Sequence, residues 1–297
     1  MIAKRMPKNG TIGIFCPSHV ADMERYAPAI NTIERLGFKV KFGANVQKDT
    51  YGYAASAEER ADDINALAAD DSVHIIMFGG GTGAVDILPL IDYDNISRNP
   101  KLYCSYSDGT SILNAIHAQT GLVTYYGVCA SDFSDLRHYD YTQFCSHFVE
   151  GYEAKKFTSD CKWKTLNGGI CEGVLIGGFS LLFGLMLSNT YFKYDINKKY
   201  LLFLEDYEKF STYGQANTFL SFIGQSAFMR NVTGLFFGHY SDNVPMDLLN
   251  CLERFGLKHK IPVVYTDDFG HGTRHAILPI GINAKLNADK QSMIFCN

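Results

Sequence analysis

The sequence predicts an α/β protein of two domains. An N-terminal domain (residues 1–130) with a Rossmann-like parallel sheet precedes a C-terminal domain (170–297) with a mixed or partly closed sheet. Short apolar runs alternate with amphipathic segments in the first domain, whereas shorter apolar runs separated by glycine-rich turns fill the second. Such alternation is typical of parallel sheets that helices cover on both faces. The polar and aromatic residues 131–169 are predicted to connect the two.

In the first domain, apolar runs of strand length predict five strands. They cover residues 11–16, 38–42, 73–78, 102–106 and 122–125. Amphipathic segments at 22–36, 57–69 and 110–119 predict the intervening helices. The second helix has Ser56 as its predicted N-cap, with Glu59 three residues later as in a capping box.

In the second domain, the predicted strands are shorter. They cover residues 173–176, 201–204, 232–237 and 261–265, with helices at 214–223 and 245–255. The connecting segment is predicted to contain one helix, at 141–154, and no strand.

The composition excludes several classes of protein. The 297 residues are 46% hydrophobic and 20% charged, so a sizeable core is expected. A net charge of −4 and a pI near 6.1 give no reason to expect a nucleic-acid partner. Neither a secretory signal nor an apolar run long enough to span a bilayer is visible. The eight cysteines include no C-x-x-C pair and are interpreted as buried structural residues. We expect a soluble, cytoplasmic protein.

Ser107 is the first candidate for catalysis. It lies in the run SYSDG (residues 105–109), between a predicted strand and a predicted helix. A serine at such a turn is typical of a nucleophile elbow, which exposes the hydroxyl and leaves helical N–H groups to stabilise an oxyanion. The same run more often marks a helix N-cap, so these residues alone do not assign catalysis to Ser107.

A glycine cluster, GGGTG at residues 79–83, follows the third predicted strand. It is either a tight turn or a loop that brings backbone donors close to a ligand. No P-loop lysine is present and the dinucleotide-binding fingerprint is matched poorly, so nucleotide binding is the weakest interpretation.

Glu205 and His271 are the other candidates. Glu205 follows the apolar run 201–204, at the kind of sheet edge where sites are built, although a solvated turn is the alternative. His271 lies in FGHG, on an irregular loop. His275 raises the possibility of zinc, but the glycines disfavour the helix that would bring both rings to one face. The sequence therefore predicts no metal.

Six segments, in order, resemble the LD-carboxypeptidase family of serine peptidases, which includes the microcin C immunity peptidases. They are TIGIFCPS at 11–18, the Gly80-Gly81 loop with LP and IDYD at 88–94, YSD at 106–108, TGLVT with YG at 120–127, FLED at 203–206, and FGHG with LPIG at 269–281. The resemblance covers nearly the whole chain.

The resemblance implies a Ser107–His271–Glu205 triad. His271 would take the proton of Ser107, and Glu205 would hold the imidazole tautomer and stabilise its cation. It also implies that the backbone N–H groups of Asp108 and Gly81 meet the oxyanion.

The implied substrate is a short peptide with a free carboxylate beyond the scissile bond, contacted by Gly80 and Thr82. In the commonest family members it is a murein tetrapeptide that loses its terminal D-alanine. The alternatives are an immunity peptidase cleaving an acylated aminoacyl-nucleotide amide and a non-catalytic peptide-binding protein on the same scaffold. No cofactor is implied, and a homodimer is expected.

The sequence departs from the family pattern at three places. Gly79 and Thr82 replace an arginine and an aromatic residue of the usual RGGYG loop, and Ser105 replaces the glycine of the GYSD motif. Phe179-Ser180 stands where Asn-Leu is usual. These changes lie around the implied substrate pocket and leave the implied triad intact. They therefore bear on murein specificity more than on peptidase chemistry.

Overall fold

The chain folds into two compact units, Met1–Tyr152 and Glu153–Asn297. The structure, a computed structural model, describes residues 1–153, 155–206, 213–239 and 244–296. Both units combine helices with a sheet, and the predicted α/β fold class is confirmed. The division falls inside the predicted connecting segment; the domain limits at residues 130 and 170 stay predictions.

The first unit contains a parallel sheet. Its strands are β1 (Thr11–Phe15), β2 (Lys39–Phe42), β3 (Val73–Phe78), β4 (Leu102–Ser105) and β5 (Thr124–Tyr126). They lie in the order β5-β4-β3-β1-β2, with every pairing parallel. Strands β1, β3 and β4 are almost wholly buried, as expected of the middle of a sheet with both faces covered.

Helices follow the strands of the first unit. They are α1 (Met23–Arg35), α2 (Ala57–Ala69), α3 (Tyr93–Arg98), α4 (Thr110–Thr120) and α5 (His138–Phe144). The predicted capping box of α2 is confirmed, because Ser56 and Glu59 each accept a hydrogen bond from the other's backbone N–H.

The predicted helix at 141–154 is wrong in its limits. Helix α5 begins three residues earlier and continues as a π-helical turn over Cys145–Val149. Phe144 and Phe148 are both fully buried, with ring centroids 5.4 Å apart. A helical period in the sequence does not anticipate such a wide turn. Ala154 lies outside the described residues.

The second unit contains a mixed sheet, as predicted. The strands of this unit are β6 (Lys155–Lys156), β7 (Lys164–Asn167), β8 (Ile170–Phe179), β9 (Tyr200–Glu205), β10 (Val232–Gly238), β11 (Val263–Thr266), β12 (Leu278–Ile280), β13 (Asn283–Asn287) and β14 (Ser292–Phe295). One sheet has the order β6-β14-β13-β8-β9-β10-β11-β7. Its centre, β8 to β11, is parallel, and antiparallel strands flank it.

The helices of the second unit are α6 (Ser180–Met186), α7 (Tyr213–Gln225) and α8 (Met246–His259). The expectation of no strand in 131–169 is wrong, since β6 and β7 lie there. Strand β7 is half exposed and polar, as an edge strand can be, and so lacks the apolar run that signals a strand. Within the part of the chain that the structure describes, no helix is long and apolar enough to cross a membrane.

Candidate active site

Ser107 lies immediately after β4 in a sharp turn. Its φ is 57°, in the left-handed region that non-glycine residues seldom adopt. Its N–H donates to the hydroxyl of Tyr126 at 3.1 Å, and its carbonyl accepts from the hydroxyl of Thr110 at 2.7 Å. Gly109, not Ser107, occupies the N-cap of α4. The strained strand-to-helix turn is the geometry of a nucleophile elbow rather than of a capping serine.

The glycine loop after β3 contacts Ser107 directly. A Cβ atom on Gly80 would lie 2.9 Å from both Cβ and Oγ of Ser107, and 3.9 Å from the backbone N of Asp108. Gly81 instead packs on the turn that follows β1. Its φ is 148°, and a Cβ there would lie 2.4 Å from the carbonyl oxygen of Ser18. The structure therefore brings Gly80 against Ser107, while Gly81 as an oxyanion donor stays a prediction.

Thr82, predicted to contact substrate, is exposed beside this loop. Its N–H donates to the Ser18 carbonyl at 3.4 Å. The predicted oxyanion donor Asp108 is buried, and its Oδ2 accepts from the N–H of Ala84 at 2.8 Å, just beyond the glycine loop. Burial raises the pKa of Asp108, while its hydrogen bonds and Arg60 oppose that shift. The residue after the candidate nucleophile thus anchors the loop with its side chain.

Arg60 is a buried residue that the sequence interpretation missed. Its side chain is 1% exposed, and its guanidinium donates to the carbonyls of Pro17 and Gly83. It thereby holds together the turn that follows β1 and the end of the glycine loop. A signal was present: Arg60 precedes Ile64 and Leu67 by four and seven residues, which places a cation on the apolar face of α2.

Glu205 and His271 form a hydrogen-bonded pair in the second unit. Glu205 is the last residue of β9 and is fully buried, whereas the side chain of His271 is 13% exposed. Oε2 of Glu205 lies 2.8 Å from Nδ1 of His271. Because an ionised carboxylate can only accept, Nδ1 carries the proton in this pair, and Nε2 is the nitrogen suited to take a further one.

Three neighbours hold this pair in place. Gly270 has a φ of 112°, and a Cβ there would lie 3.0 Å from Oε2 of Glu205, so only glycine lets the loop approach so closely. The ring of Phe179 meets that of His271 edge-on, with centroids 5.3 Å apart. The Ser180 hydroxyl donates to the Glu205 carbonyl at 2.7 Å. The departure Phe179-Ser180 therefore lies at the pair itself.

Asp268 fixes the loop that carries His271. This buried carboxylate accepts from the N–H of Asp160 (2.8 Å), Nε1 of Trp163 (2.7 Å) and the hydroxyl of Thr266 (2.8 Å). Its carbonyl also accepts from the N–H of Ala276 at 2.8 Å, which closes the loop around His271. No sequence pattern distinguishes Asp268 from its neighbour Asp267.

Asp206 and His239 make a second carboxylate–imidazole pair, with Oδ1 and Nδ1 2.5 Å apart. Both side chains are buried, and burial raises the pKa of Asp206, an effect that the bond to His239 opposes. His239 is thus a packed residue with an ionisable partner.

The structure brings the predicted residues together in two groups. Ser107 contacts Gly80 in the first unit, with Asp108 next in the chain. Glu205 contacts His271 in the second. Among residues 1–153, 155–206, 213–239 and 244–296, no group of three or more His, Cys, Asp or Glu side chains is arranged to hold a metal ion.

Comparison with known proteins points to one family along most of the chain. Residues 12–127 match the family model of the LD-carboxypeptidase N-terminal domain, and residues 172–286 match that of the LD-carboxypeptidase C-terminal domain. A probable murein peptide carboxypeptidase of Bacillus subtilis is 30% identical over an alignment of 309 positions, gaps included, which covers 98% of this chain and 93% of that protein.

Immunity proteins are similar as well. The microcin C7 self-immunity protein MccF of Escherichia coli is 34% identical over 131 residues, which cover 43% of this chain and 38% of that protein. The solved structure of microcin C7 self-immunity protein MccF in complex with aspartyl sulfamoyl adenosine superposes with a TM-score of 0.84 at 23% identity, and covers 100% of this chain and 98% of the other. At that identity the superposition establishes the fold.

Proposed function

The chain belongs to the LD-carboxypeptidase family of serine-type carboxypeptidases, and from that premise we propose that it hydrolyses an amide bond with Ser107 as nucleophile and His271 and Glu205 as its proton-transfer pair. The 2.8 Å hydrogen bond between Glu205 and His271 carries this proposal. A buried carboxylate on Nδ1 orients the ring and stabilises the imidazolium formed when Nε2 takes a proton.

The proposed reaction has two halves. Oγ of Ser107 attacks the scissile carbonyl and its proton passes to Nε2 of His271. The tetrahedral intermediate collapses, the C–N bond breaks, and His271 returns the proton to the leaving amine. Water, deprotonated by His271, then attacks the acyl carbon; the bond from that carbon to Oγ breaks, the acid product leaves, and His271 returns the proton to Oγ of Ser107. The N–H of Asp108, with one from the Gly80-Gly81 segment, would stabilise the negative charge on oxygen.

The substrate that we propose first is a murein tetrapeptide cleaved before its C-terminal D-alanine. The Bacillus subtilis relative, named for murein peptides and similar over 98% of this chain, supports this choice. The second candidate is an aminoacyl nucleotide, as in the aspartyl sulfamoyl adenosine bound to the self-immunity protein MccF. The absence of side chains at Gly79 and Gly80 beside Ser107 is compatible with either.

One experiment separates these candidates. Purified wild type would be incubated with each compound, and released D-alanine or aspartate would be quantified by mass spectrometry. Ser107→Ala should abolish the release, by about 10⁴-fold or more. Ser134→Ala is the matched control, since Ser134 is exposed. Full activity in Ser107→Ala would refute the proposed nucleophile. Affinity for either compound without turnover would favour the non-catalytic binding protein.

We also propose, from the family resemblance, that the protein is a homodimer. Sedimentation velocity at micromolar concentration would test it: a single species near 66 kDa, twice the 33.1 kDa chain mass, is expected, and a species of chain mass would contradict it.

A further inference from the structure

The imidazole of His19 occupies the space beside Gly79. A Cβ atom on Gly79 would lie 3.2 Å from Cε1 of His19 and 3.9 Å from its Nε2. Gly79 directly follows β3 and directly precedes Gly80, whose own missing Cβ would collide with Ser107. The ring of His19 therefore packs on the segment that contacts the candidate nucleophile.

The backbone of Gly79 does not itself require glycine. Its φ is outside the left-handed region, in contrast to Gly81 and Gly83, whose φ angles are 148° and 101°. A Cβ at position 79 would instead press on the neighbouring ring, which would have to shift by a few tenths of an ångström. Glycine at position 79 thus leaves room for the ring of His19 to pack against the loop.

The ring of His19 is itself held in place. Nε2 lies 3.4 Å from the hydroxyl of Tyr26, and that hydroxyl lies 4.0 Å from Sγ of Cys16. Tyr26 and Cys16 are buried, in α1 and directly after β1. Burial lowers the pKa of His19, and a hydrogen bond with the backbone of Gly80 partly opposes this shift. The ring thus contacts both a buried tyrosine and the glycine segment.

We propose that His19 is a positioning residue, which holds the Gly79–Gly80 segment against Ser107 and so fixes the distance between the nucleophile and the backbone donors of that loop. The inference rests on the proposed role of Ser107. His19 touches neither the serine nor, in this proposal, the substrate; it acts through the loop.

The test uses the rate at which Ser107 is labelled by a fluorophosphonate. In that reaction the Oγ–P bond forms, the P–F bond breaks, fluoride leaves, and the serine proton passes to His271. His19→Ala should slow labelling by about 10-fold or more, because displacements near 1 Å have large effects on reactivity. His19→Gln, which keeps bulk and a polar contact to Tyr26, should retain most of the rate. His138→Ala, at an exposed histidine, is the control.

A second pair of variants tests the packing argument. Gly79→Leu should slow labelling by displacing the ring. In the double variant His19→Ala/Gly79→Leu the new side chain refills the vacated space, so its loss should be smaller than the product of the two single losses. With the murein tetrapeptide, any loss should fall on kcat more than on KM, since the loop meets the reacting carbonyl.

The outcomes are distinguishable. Wild-type labelling rates in His19→Ala or in Gly79→Leu would overturn the inference, as would losses that multiply in the double variant. If His19→Ala does not fold, as judged by its thermal midpoint, His19→Gln and Gly79→Leu decide. If wild type is not labelled at Ser107 by intact-mass and peptide analysis, the proposed nucleophile fails, and this inference with it. If Ser107→Ala abolishes labelling but His19 variants are unaffected, only this inference fails.

Discussion

Oε2 of Glu205 lies 2.8 Å from Nδ1 of His271, and glycine at position 270 is what allows the approach. The acid is at the end of a buried strand, so its position is fixed by the sheet. The histidine is on a loop, so its position depends on contacts that the loop makes.

Replacing Glu205 with Gln should lower kcat by about 10³–10⁴-fold, because the neutral amide neither stabilises the imidazolium nor enforces the tautomer. Hydrolysis of the murein tetrapeptide would measure it. Glu253→Gln, at an exposed glutamate of α8, should leave kcat unchanged. A loss below tenfold would argue against Glu205 as the acid of the triad.

Adding a single methyl group at Gly80 should impair catalysis without unfolding the protein. The Cβ of Gly80→Ala would lie 2.9 Å from Oγ of Ser107, so one of the two must move, and kcat should fall by about 10²-fold. Gly184→Ala is the matched control, because its Cβ would meet Ile223 at an ordinary 3.8 Å. Equal kcat values for the two variants would contradict the contact between Gly80 and Ser107.

The loop of His271 should depend on Asp268. Asp268→Asn replaces an acceptor of several hydrogen bonds with a group that cannot accept them all, which should lower the free energy of unfolding by about 1–3 kcal/mol. Urea unfolding would measure it, with the exposed Asp49→Asn as control. Since the loop carries the proton acceptor, kcat should fall as well. Unchanged stability would show that the carboxylate is dispensable to the loop.

Stability should fall in mild acid, in part through His19. Burial lowers the pKa of His19 from its ordinary 6.5, so as the pH falls below 6.5 the unfolded chain takes up a proton before the folded chain does. The free energy of unfolding then decreases, by at most about 1.4 kcal/mol per pH unit for one group. His74 and His259, with pKa values that burial also lowers, add to the slope.

Unfolding by urea between pH 7.5 and 5 would show the effect. The decline should be shallower in His19→Gln than in wild type, and unaltered in His138→Gln. A slope in His19→Gln equal to that of wild type would mean that the ring protonates as readily in the folded chain as in the unfolded one.

Periodicity predicted the elements that bury apolar residues. The strand at residues 73–78 and the helix at 57–69 are at the predicted limits, because one is an apolar run interrupted only by His74 and the other has a side-chain cap. Strand β7 was missed because it is polar and half exposed. It forms a strand by pairing with β11, which its own composition does not indicate. The π-helical turn at 145–149 was missed because the hydrophobic period does not distinguish it from an α-helical turn.

The candidate site shows a similar division. Ser107, Glu205 and His271 were identified by resemblance and by their places after strands, which are properties of the sequence. Arg60, Asp268 and His19 were not, since each acts on backbone groups distant in the chain. Arg60 reaches Gly83 across 23 positions and Asp268 reaches Asp160 across 108. The partner in a contact of that kind leaves no local spacing to detect; for Arg60, the sequence indicates only its place on the apolar face of α2.

The left-handed φ of 57° at Ser107 has an evolutionary consequence. A residue with a side chain is less stable there than glycine by about 1 kcal/mol, so Ser107→Gly should fold more stably than wild type while losing the hydroxyl. Selection for stability alone would remove the serine. If related proteins retain the serine, that retention is evidence of selection for turnover. In a gene copy released from that selection, glycine would be expected to replace the serine.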